Sequence, residues 1–343
     1  MKAILKARPG KGNIEVGSTD IPVLSDDDVL IKIKKAGICG TDFHIYSWDR
    51  WSEERIKPPL IIGHEFAGII EKTGRNASHL KPGQRVSAEG HIVCNKCKSC
   101  LDGNFHICDN VRIIGVDRDG CFAEYLSMPA SNIWLLRDEI ADKYGSIMDP
   151  LGNAMHTVSV QSVRGRNVFI SGAGSIGLFA TAIARYMGAE KIMVSEPNEF
   201  KRQIAMKIGA DIAINPFETG TGSRVIEYFN GHGPDVVLEM SGAPSAILLS
   251  FNIIAKGGDM ALLGLPPADI TLDISNRIIF KGLTVKGVSG RRMYETWEQC
   301  DRFLLTHSSS IDPVITHEIP MDDISRGFEM MEKNEAIKVL LNV

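Results

Sequence analysis

Residues 167–177 have the sequence N-V-F-I-S-G-A-G-S-I-G, in which an apolar strand candidate leads into the closely spaced Gly172, Gly174 and Gly177 and then into a helix candidate. The first glycine permits a tight turn, the second lets a pyrophosphate approach the backbone, and the third lets the helix pack on the strand. Free amides at the helix start would bind the anion. The stretch predicts a dinucleotide-binding unit; a glycine turn that binds another ligand is the alternative.

Strand and helix candidates alternate through residues 151–290, which indicates an α/β domain with a doubly wound parallel sheet, the Rossmann arrangement. The next strand candidate, K-I-M-V-S, ends beside Glu196, close to the roughly 20-residue spacing expected for the acid that binds the adenosine ribose. A carboxylate there repels a 2′-phosphate, so NAD is favoured over NADP. Lys201 is a cation that would tolerate that phosphate.

Residues 1–150 contain short strand candidates separated by turn residues and predict an irregular β domain. The tail, residues 291–343, combines helix and strand candidates and is expected to rejoin that domain. The chain has 42 acidic and 38 basic residues, and no basic block suggests a nucleic-acid partner. Its apolar runs are shorter than the about 20 residues that cross a bilayer. We therefore expect a cytoplasmic protein with no membrane or nucleic-acid partner.

Cys94, Cys97, Cys100 and Cys108 lie in one polar stretch, C-N-K-C-K-S-C-L-D-G-N-F-H-I-C, within a lobe of about residues 90–110. Two-residue gaps let successive thiolates turn toward one point, so four sulfurs can close a tetrahedral shell around Zn²⁺. A closed shell leaves no position for substrate, which predicts a structural zinc. A pair of disulfides is the alternative, but no signal peptide precedes these cysteines.

Cys39, in A-G-I-C-G-T-D-F-H, and the adjacent His64 and Glu65, in I-I-G-H-E-F-A-G, are a second set of candidate metal ligands. A thiolate, an imidazole and a carboxylate leave one exchangeable position on a tetrahedral Zn²⁺, as catalytic zinc requires. Taken singly, each residue could instead be a core or surface side chain. Because they occur in the same chain as the glycine turn and the four cysteines, a catalytic metal site is favoured.

These motifs occur in the order found in zinc-dependent medium-chain alcohol dehydrogenases, and the chain resembles that family over essentially its whole length. The resemblance implies a GroES-like β domain, formed by residues 1–150 and 291–343, with a Rossmann NAD-binding domain of residues 151–290 inserted. It also implies NAD and two Zn²⁺ per chain, one catalytic and one structural.

The resemblance further implies a proton relay from Thr41 to His44, and an acid, Asp149, near the catalytic zinc. Turn and loop roles are the alternatives for the relay pair, and a helix N-cap before Pro150 is the alternative for Asp149. Further cofactor contacts are expected from Ile176 within the glycine turn and from five residues beyond it, namely Leu263, Gly264, Leu265, Val288 and Ser289.

Three stretches, around Trp48, His91 and Trp297, resemble family members that oxidise L-threonine to 2-amino-3-oxobutanoate. An amino-acid substrate needs partners for its ammonium and carboxylate, and Glu89, His91 and Arg291 are the candidates. A polyol or 2,3-butanediol dehydrogenase is the nearest alternative, and a non-catalytic cofactor-binding relative is another. An edge strand within residues 269–287 favours a homotetramer.

Overall fold

The computed structural model describes residues 1–343, which divide into two compact units. The first unit comprises Met1–Asp149, Arg292–Leu305 and Ile315–Val343, and the second comprises Pro150–Arg291 and Thr306–Val314. None of the helices combines the length and the apolar character that a membrane span requires.

The amino-terminal part of the chain is mainly β structure. Its strands are β1 (Lys2–Lys6), β2 (Ile14–Ser18), β3 (Asp28–Ile38), β4 (Leu60–Ile61), β5 (Glu65–Thr73), β6 (Arg85–Ala88), β7 (His91–Ile92), β8 (Arg112–Ile113), β9 (Tyr125–Pro129) and β10 (Ile133–Leu135). Its helices are α1 (Gly40–Ser47), α2 (Arg50–Arg55), α3 (Lys98–Leu101), α4 (Asp142–Gly145) and α5 (Met148–Ser159).

Strands and helices alternate in the middle of the chain, as the sequence predicts. The strands are β11 (Asn167–Ser171), β12 (Lys191–Ser195), β13 (Ile212–Ile214), β14 (Val236–Glu239), β15 (Asp259–Leu262) and β16 (Thr284–Gly287), and the helices are α6 (Ser175–Tyr186), α7 (Glu199–Lys207), α8 (Thr221–Tyr228) and α9 (Pro244–Ile253). The six strands form one parallel sheet in the order β13-β12-β11-β14-β15-β16. All six carboxyl ends therefore lie along one edge of the sheet, where ligands bind in such folds.

The carboxyl-terminal part contains α10 (Glu295–His307), β17 (Ile315–Pro320), α11 (Ile324–Glu332) and β18 (Lys338–Asn342). Strand β18 pairs antiparallel with β3 and parallel with β17, and β3 also pairs with β5 and β9. The tail thus completes the main sheet of the first unit. This sheet encloses a core of aliphatic residues and phenylalanines that includes Ile31, Phe66, Phe122 and Phe328.

The tail differs from the sequence prediction in one segment. Residues 291–343 were expected to return as a whole to the first unit, but Thr306–Val314 belongs with the second. The segment buries Ile311 and Val314 completely, and His307 packs edge-on against Tyr186 of α6 with ring centroids 4.7 Å apart. Burial of these apolar groups explains why this segment packs with the second unit.

Candidate metal centres and cofactor site

The first candidate metal site is a three-ligand cluster made of Cys39, His64 and Glu65. Cys39 directly follows β3 and is the N-cap residue of α1, while His64 directly precedes β5 and Glu65 is the first residue of that strand. The Cys39 Sγ and His64 Nε2 atoms are 3.1 Å apart, and the ligand atoms of all three residues lie within 4.8 Å of one another. The structure therefore brings together the three residues that the sequence predicts as catalytic-zinc ligands.

Strand register explains how Glu65 reaches this position. Glu65 pairs with Gly37 across the β3–β5 ladder, and a Cβ on Gly37 would lie only 2.3 Å from Glu65 Oε2. Because Gly37 has no side chain, the Glu65 carboxylate can lie over the strand. Val339 pairs with Ile38, so the preceding Lys338 enters the same region from β18.

Lys338 forms a buried ion pair with Glu65. The Lys338 ammonium donates to both carboxylate oxygens, at 3.0 and 2.8 Å, and to the carbonyl oxygen of Ile38 at 3.0 Å. Both side chains are essentially inaccessible to solvent. Burial raises the pKa of Glu65 to about 7, and the Lys338 charge opposes that rise. The sequence analysis did not identify Lys338, although a lysine at the head of the apolar strand K-V-L-L is a detectable anomaly.

Asp42 is a second neighbour of the cluster that the sequence analysis did not single out. It is fully buried on α1, and its Oδ2 accepts a hydrogen bond from the Cys39 backbone N–H at 2.9 Å. Its Oδ1 lies 3.9 Å from His64 Nδ1, and both atoms are buried without a hydrogen-bond partner. A carboxylate behind the distal nitrogen of a metal-binding histidine is a common orienting arrangement.

The donor set fits a zinc ion. Burial raises the pKa of the Cys39 thiol well above its usual value, and the charges of Asp42 and Glu65 raise it further. A divalent cation held by Cys39, His64 and Glu65 would lower the pKa of this thiol and stabilise the thiolate. The orphaned His64 Nδ1 beside Asp42 is the further observation that supports this fit.

Thr41, His44 and Asp149, the predicted catalytic residues, are not part of the ligand triplet. Thr41 is half-buried and His44 is exposed, both on α1. Asp149 is buried in the first turn of α5, and its charge raises the pKa of Glu65. Because α5 begins at Met148, Asp149 lies past the N-cap position, and the N-cap interpretation was wrong.

The second candidate metal site is the cysteine lobe, Cys94–Cys108. Its four sulfurs lie within 4.8 Å of one another, with separations of 3.6 Å from Cys108 to Cys94 and 3.9 Å from Cys97 to Cys108. A tetrahedral zinc with bonds of about 2.3 Å would separate its sulfurs by roughly 3.8 Å. The backbone N–H groups of Lys96 and Cys97 help lower the pKa of Cys94 to about 6. All seven cysteines are free thiols, so the disulfide alternative was wrong.

The glycine turn follows β11 at the carboxyl edge of the parallel sheet. Gly172 has a φ of 94°, and a Cβ there would lie 2.9 Å from Ser241. Gly174 faces open space at the start of α6, while a Cβ on Gly177 would lie 2.1 Å from the Gly172 carbonyl oxygen. These three environments match a tight turn, an open approach for an anion, and close packing of helix on strand.

Glu196 follows β12 at the same edge and is buried. Its Oε2 accepts from the Ala173 backbone N–H at 2.9 Å, and its Oε1 accepts from the Asn198 N–H at 3.0 Å. Lys201 lies in the first turn of α7, and its backbone N–H donates to the Asn198 cap. Glu196 and Gly172 line a cavity of about 560 Å³ whose walls also include Phe217 and Ser241, which the sequence analysis did not identify.

The remaining predicted cofactor residues lie in the first turn of α6 or directly after strands of the same sheet. Ile176 is in the first turn of α6, Leu263 and Gly264 follow β15, and Val288 follows β16. Leu263 and Gly264 donate their backbone N–H groups to the Glu239 carbonyl oxygen. Leu265 is 90% exposed, and Ser289 is exposed directly after Val288. The carboxyl edge of the parallel strands therefore gathers all of the predicted cofactor residues.

The three candidate substrate residues have different environments. In the first unit, Glu89 is fully buried and accepts from the Trp297 indole at 3.0 Å and from the backbone and Nδ1 of His91 at 3.0 and 3.1 Å. Glu89 thus supports His91 and Trp297 directly. In the second unit, Arg291 is only 1% exposed, so it is a buried charge.

Comparisons with known proteins show the family to which the chain belongs. Two family models match the chain: the alcohol dehydrogenase GroES-like domain over residues 25–138 and the zinc-binding dehydrogenase over residues 175–306. L-Threonine 3-dehydrogenases from Bacillus licheniformis and Pyrococcus horikoshii are 45% and 44% identical over 341 residues, covering 99% of this chain and 98% of each relative. A structure described as a zinc-binding dehydrogenase from Sinorhizobium meliloti, bound to NADP, has a TM-score of 0.91 and 28% identity, covering 100% of this chain and 99% of that one.

The chain therefore belongs to the zinc-binding alcohol dehydrogenase family with a GroES-like domain. It is a zinc- and NAD-dependent dehydrogenase, which confirms the fold class, the enzyme class and the cofactor types predicted from the sequence.

Proposed function

We propose that this enzyme oxidises L-threonine, converting L-threonine and NAD⁺ to 2-amino-3-oxobutanoate, NADH and a proton. The observation that carries the proposal is the convergence of the Cys39, His64 and Glu65 ligand atoms within 4.8 Å. The choice of substrate is supported by the two L-threonine 3-dehydrogenases that share 44–45% identity with nearly the whole chain.

Cys39, His64 and Glu65 would hold the catalytic ion, with Asp42 orienting His64 and Lys338 balancing the charge of Glu65. A zinc ion bound there supplies Lewis acidity that lowers the pKa of a substrate hydroxyl, while NAD accepts the hydride. The Thr41 hydroxyl can pass the released proton without holding a charge, and the exposed His44 can deliver it to water. Glu196 has lone pairs left for the ribose hydroxyls after its two backbone contacts.

Recognition of an amino acid requires partners for its carboxylate and ammonium. We propose that His91 supplies a donor, because Glu89 accepts from its Nδ1 and thereby fixes the imidazole. Arg291 is the other proposed donor. Glu89, which the sequence analysis proposed as a direct contact, is better supported as the residue that positions His91, since it accepts from both the backbone N–H and Nδ1 of His91.

We also propose two Zn²⁺ per chain, a homotetramer and a cytoplasmic location. The four-cysteine lobe and the three-ligand cluster support the metal count. The exposed β16 at the edge of its sheet supports pairing with a second copy. The two cysteines outside both candidate metal sites, Cys121 and Cys300, are buried free thiols and support a reducing compartment.

A screen of NADH formation with threonine, serine, sorbitol and 2,3-butanediol, combined with elemental analysis for zinc, tests the proposal. We expect the largest kcat/KM with L-threonine and two zinc equivalents per chain. A larger kcat/KM with sorbitol or butanediol would instead support the polyol or butanediol alternative. Turnover of none of the four, with NADH still bound, would support the non-catalytic alternative.

A further inference from the structure

A carboxylate beside His44 is the strongest feature that the proposed chemistry does not yet include. The Nδ1 atom of His44 lies 2.6 Å from Oδ2 of Asp49. An ionised carboxylate can only accept hydrogen bonds, so the proton of this contact belongs to His44 Nδ1. A neutral His44 that donates from Nδ1 has an unprotonated Nε2, which is then the proton acceptor.

The local fold holds Asp49 in place. Helix α1 ends at Trp48, which has a φ of 58° and donates its backbone N–H to the His44 carbonyl oxygen at 2.9 Å. This left-handed residue reverses the chain, so Asp49 returns beside His44 and caps α2. Oδ1 of Asp49 accepts from the Ser52 backbone N–H at 3.0 Å. One carboxylate oxygen therefore belongs to the helix cap and the other to the imidazole.

Charged and aromatic neighbours complete the surroundings of His44. The Trp51 ring lies edge-on to the imidazole with centroids 6.4 Å apart, and the Arg55 guanidinium lies over the Trp51 ring at 5.9 Å. Arg55 is itself paired with Asp117 at 2.8 Å. Partial burial opposes ionisation of Asp49, but hydrogen bonds from Ser52 and His44 keep its pKa below the usual value.

We propose that Asp49 is a positioning residue that fixes His44 in the Nδ1–H tautomer and so presents Nε2 as the acceptor of the proton released by alcohol oxidation. The catalytic half of this inference rests on the proposed function. In that half, the substrate hydroxyl gives its proton to Thr41 Oγ1, and the Thr41 hydroxyl passes its own proton to His44 Nε2. The resulting imidazolium releases the proton to water, which accounts for the proton in the overall reaction.

The test compares Asp49→Ser with Glu53→Gln. Serine is a good N-cap but is too short to reach His44, so α2 keeps its cap while the imidazole loses its partner. Glu53 is an exposed acid in the first turn of the same helix, and its replacement removes one negative charge without touching His44. Tautomers are measured by ¹⁵N solid-state NMR on histidine-labelled holoenzyme, with His44 assigned among the nine histidines by its loss in His44→Gln.

We expect the Nδ1–H tautomer for His44 in wild type and Glu53→Gln, and a shift toward the Nε2–H tautomer in Asp49→Ser. Asp49→Ser should lower kcat for L-threonine by about 10-fold with KM and zinc content unchanged, and added imidazole buffer should restore part of the loss. In a His44→Gln background the same substitution should have no further effect.

Retention of the Nδ1–H tautomer in Asp49→Ser would overturn the inference. A tautomer shift with unchanged kcat would overturn its catalytic half. If wild type fails to oxidise L-threonine, the proposed function fails, and the NMR comparison alone then decides the role of Asp49.

Discussion

The two candidate metal sites are built in opposite ways. The lobe takes four identical ligands from the 15-residue stretch Cys94–Cys108, while the three-ligand cluster takes three different ligands from the end of β3 and the beginning of β5, which are 25 positions apart in the chain. The partner of its Glu65 is Lys338, which lies 273 positions later in the chain. Four sulfurs close a shell, whereas three mixed ligands leave a position for substrate. The spacing of residues along the chain is therefore sufficient to assemble the four-cysteine lobe. The three-ligand cluster also needs strand pairing in the sheet to bring its residues together.

Loss of a ligand from the three-ligand cluster is expected to have the largest effect. Cys39→Ser should lower kcat/KM for L-threonine by about 10³-fold or more, because the site loses its thiolate ligand and the Lewis acid with it. NADH binding, measured by fluorescence titration, should be unchanged. Cys300→Ser, a buried cysteine outside both sites, is the control and should retain activity. Normal turnover by Cys39→Ser would remove the basis for a catalytic metal.

Removal of the Lys338 charge should be the next largest effect. Lys338→Met leaves the Glu65 carboxylate buried without its cation, which we expect to cost about 3–5 kcal/mol of unfolding free energy. Lys35→Met removes a partly exposed ion pair with Glu318 and should cost less than about 1 kcal/mol. Both are measured by urea unfolding of the zinc-depleted protein, in which no bound ion compensates the charge of Glu65. Adding Glu65→Gln to Lys338→Met should recover part of the lost unfolding free energy. Equal losses of unfolding free energy in Lys338→Met and Lys35→Met would contradict the importance of the buried ion pair.

In the lobe, a lost ligand should affect stability more than catalysis. Cys100→Ser should remove one zinc equivalent and destabilise the protein by about 2 kcal/mol, or roughly 5 °C in Tm, because metal binding there contributes to folding. The kcat of the remaining folded enzyme should stay within about twofold of wild type. Elemental analysis, calorimetry and initial rates check these outcomes. A loss of activity as large as that of Cys39→Ser would erase the distinction between the two sites.

The smallest expected effect concerns the cofactor. Glu196→Gln should lower the preference for NAD over NADP by about 10-fold, because the side chain keeps its length but no longer repels a 2′-phosphate. The matched control is Glu199→Gln, which removes an acid from the first turn of the neighbouring α7. The ratio of kcat/KM with the two cofactors is the measurement. An unchanged ratio would show that another group selects the cofactor.

Much of the molecule was predictable because its signals are local. The three glycines of the turn, the four cysteines and the strand–helix alternation each depend on neighbours within about 20 residues. Asp42, Lys338 and Asp49 were not assigned roles, because each acts through a partner that only a turn or a strand register brings near. Lys338 needs the β18–β3 pairing and Asp49 needs the left-handed Trp48.

By itself the sequence determined the family, and it predicted the cofactor turn and both candidate ligand sets, since these follow from residue type and short-range spacing. Only the tertiary structure decided which buried charged groups lie next to the candidate metal ligands and next to His91. Asp42 behind His64, Lys338 against Glu65 and Glu89 beneath His91 are buried contacts. A buried charge requires a partner in space, and strand pairing, rather than distance along the chain, supplies that partner.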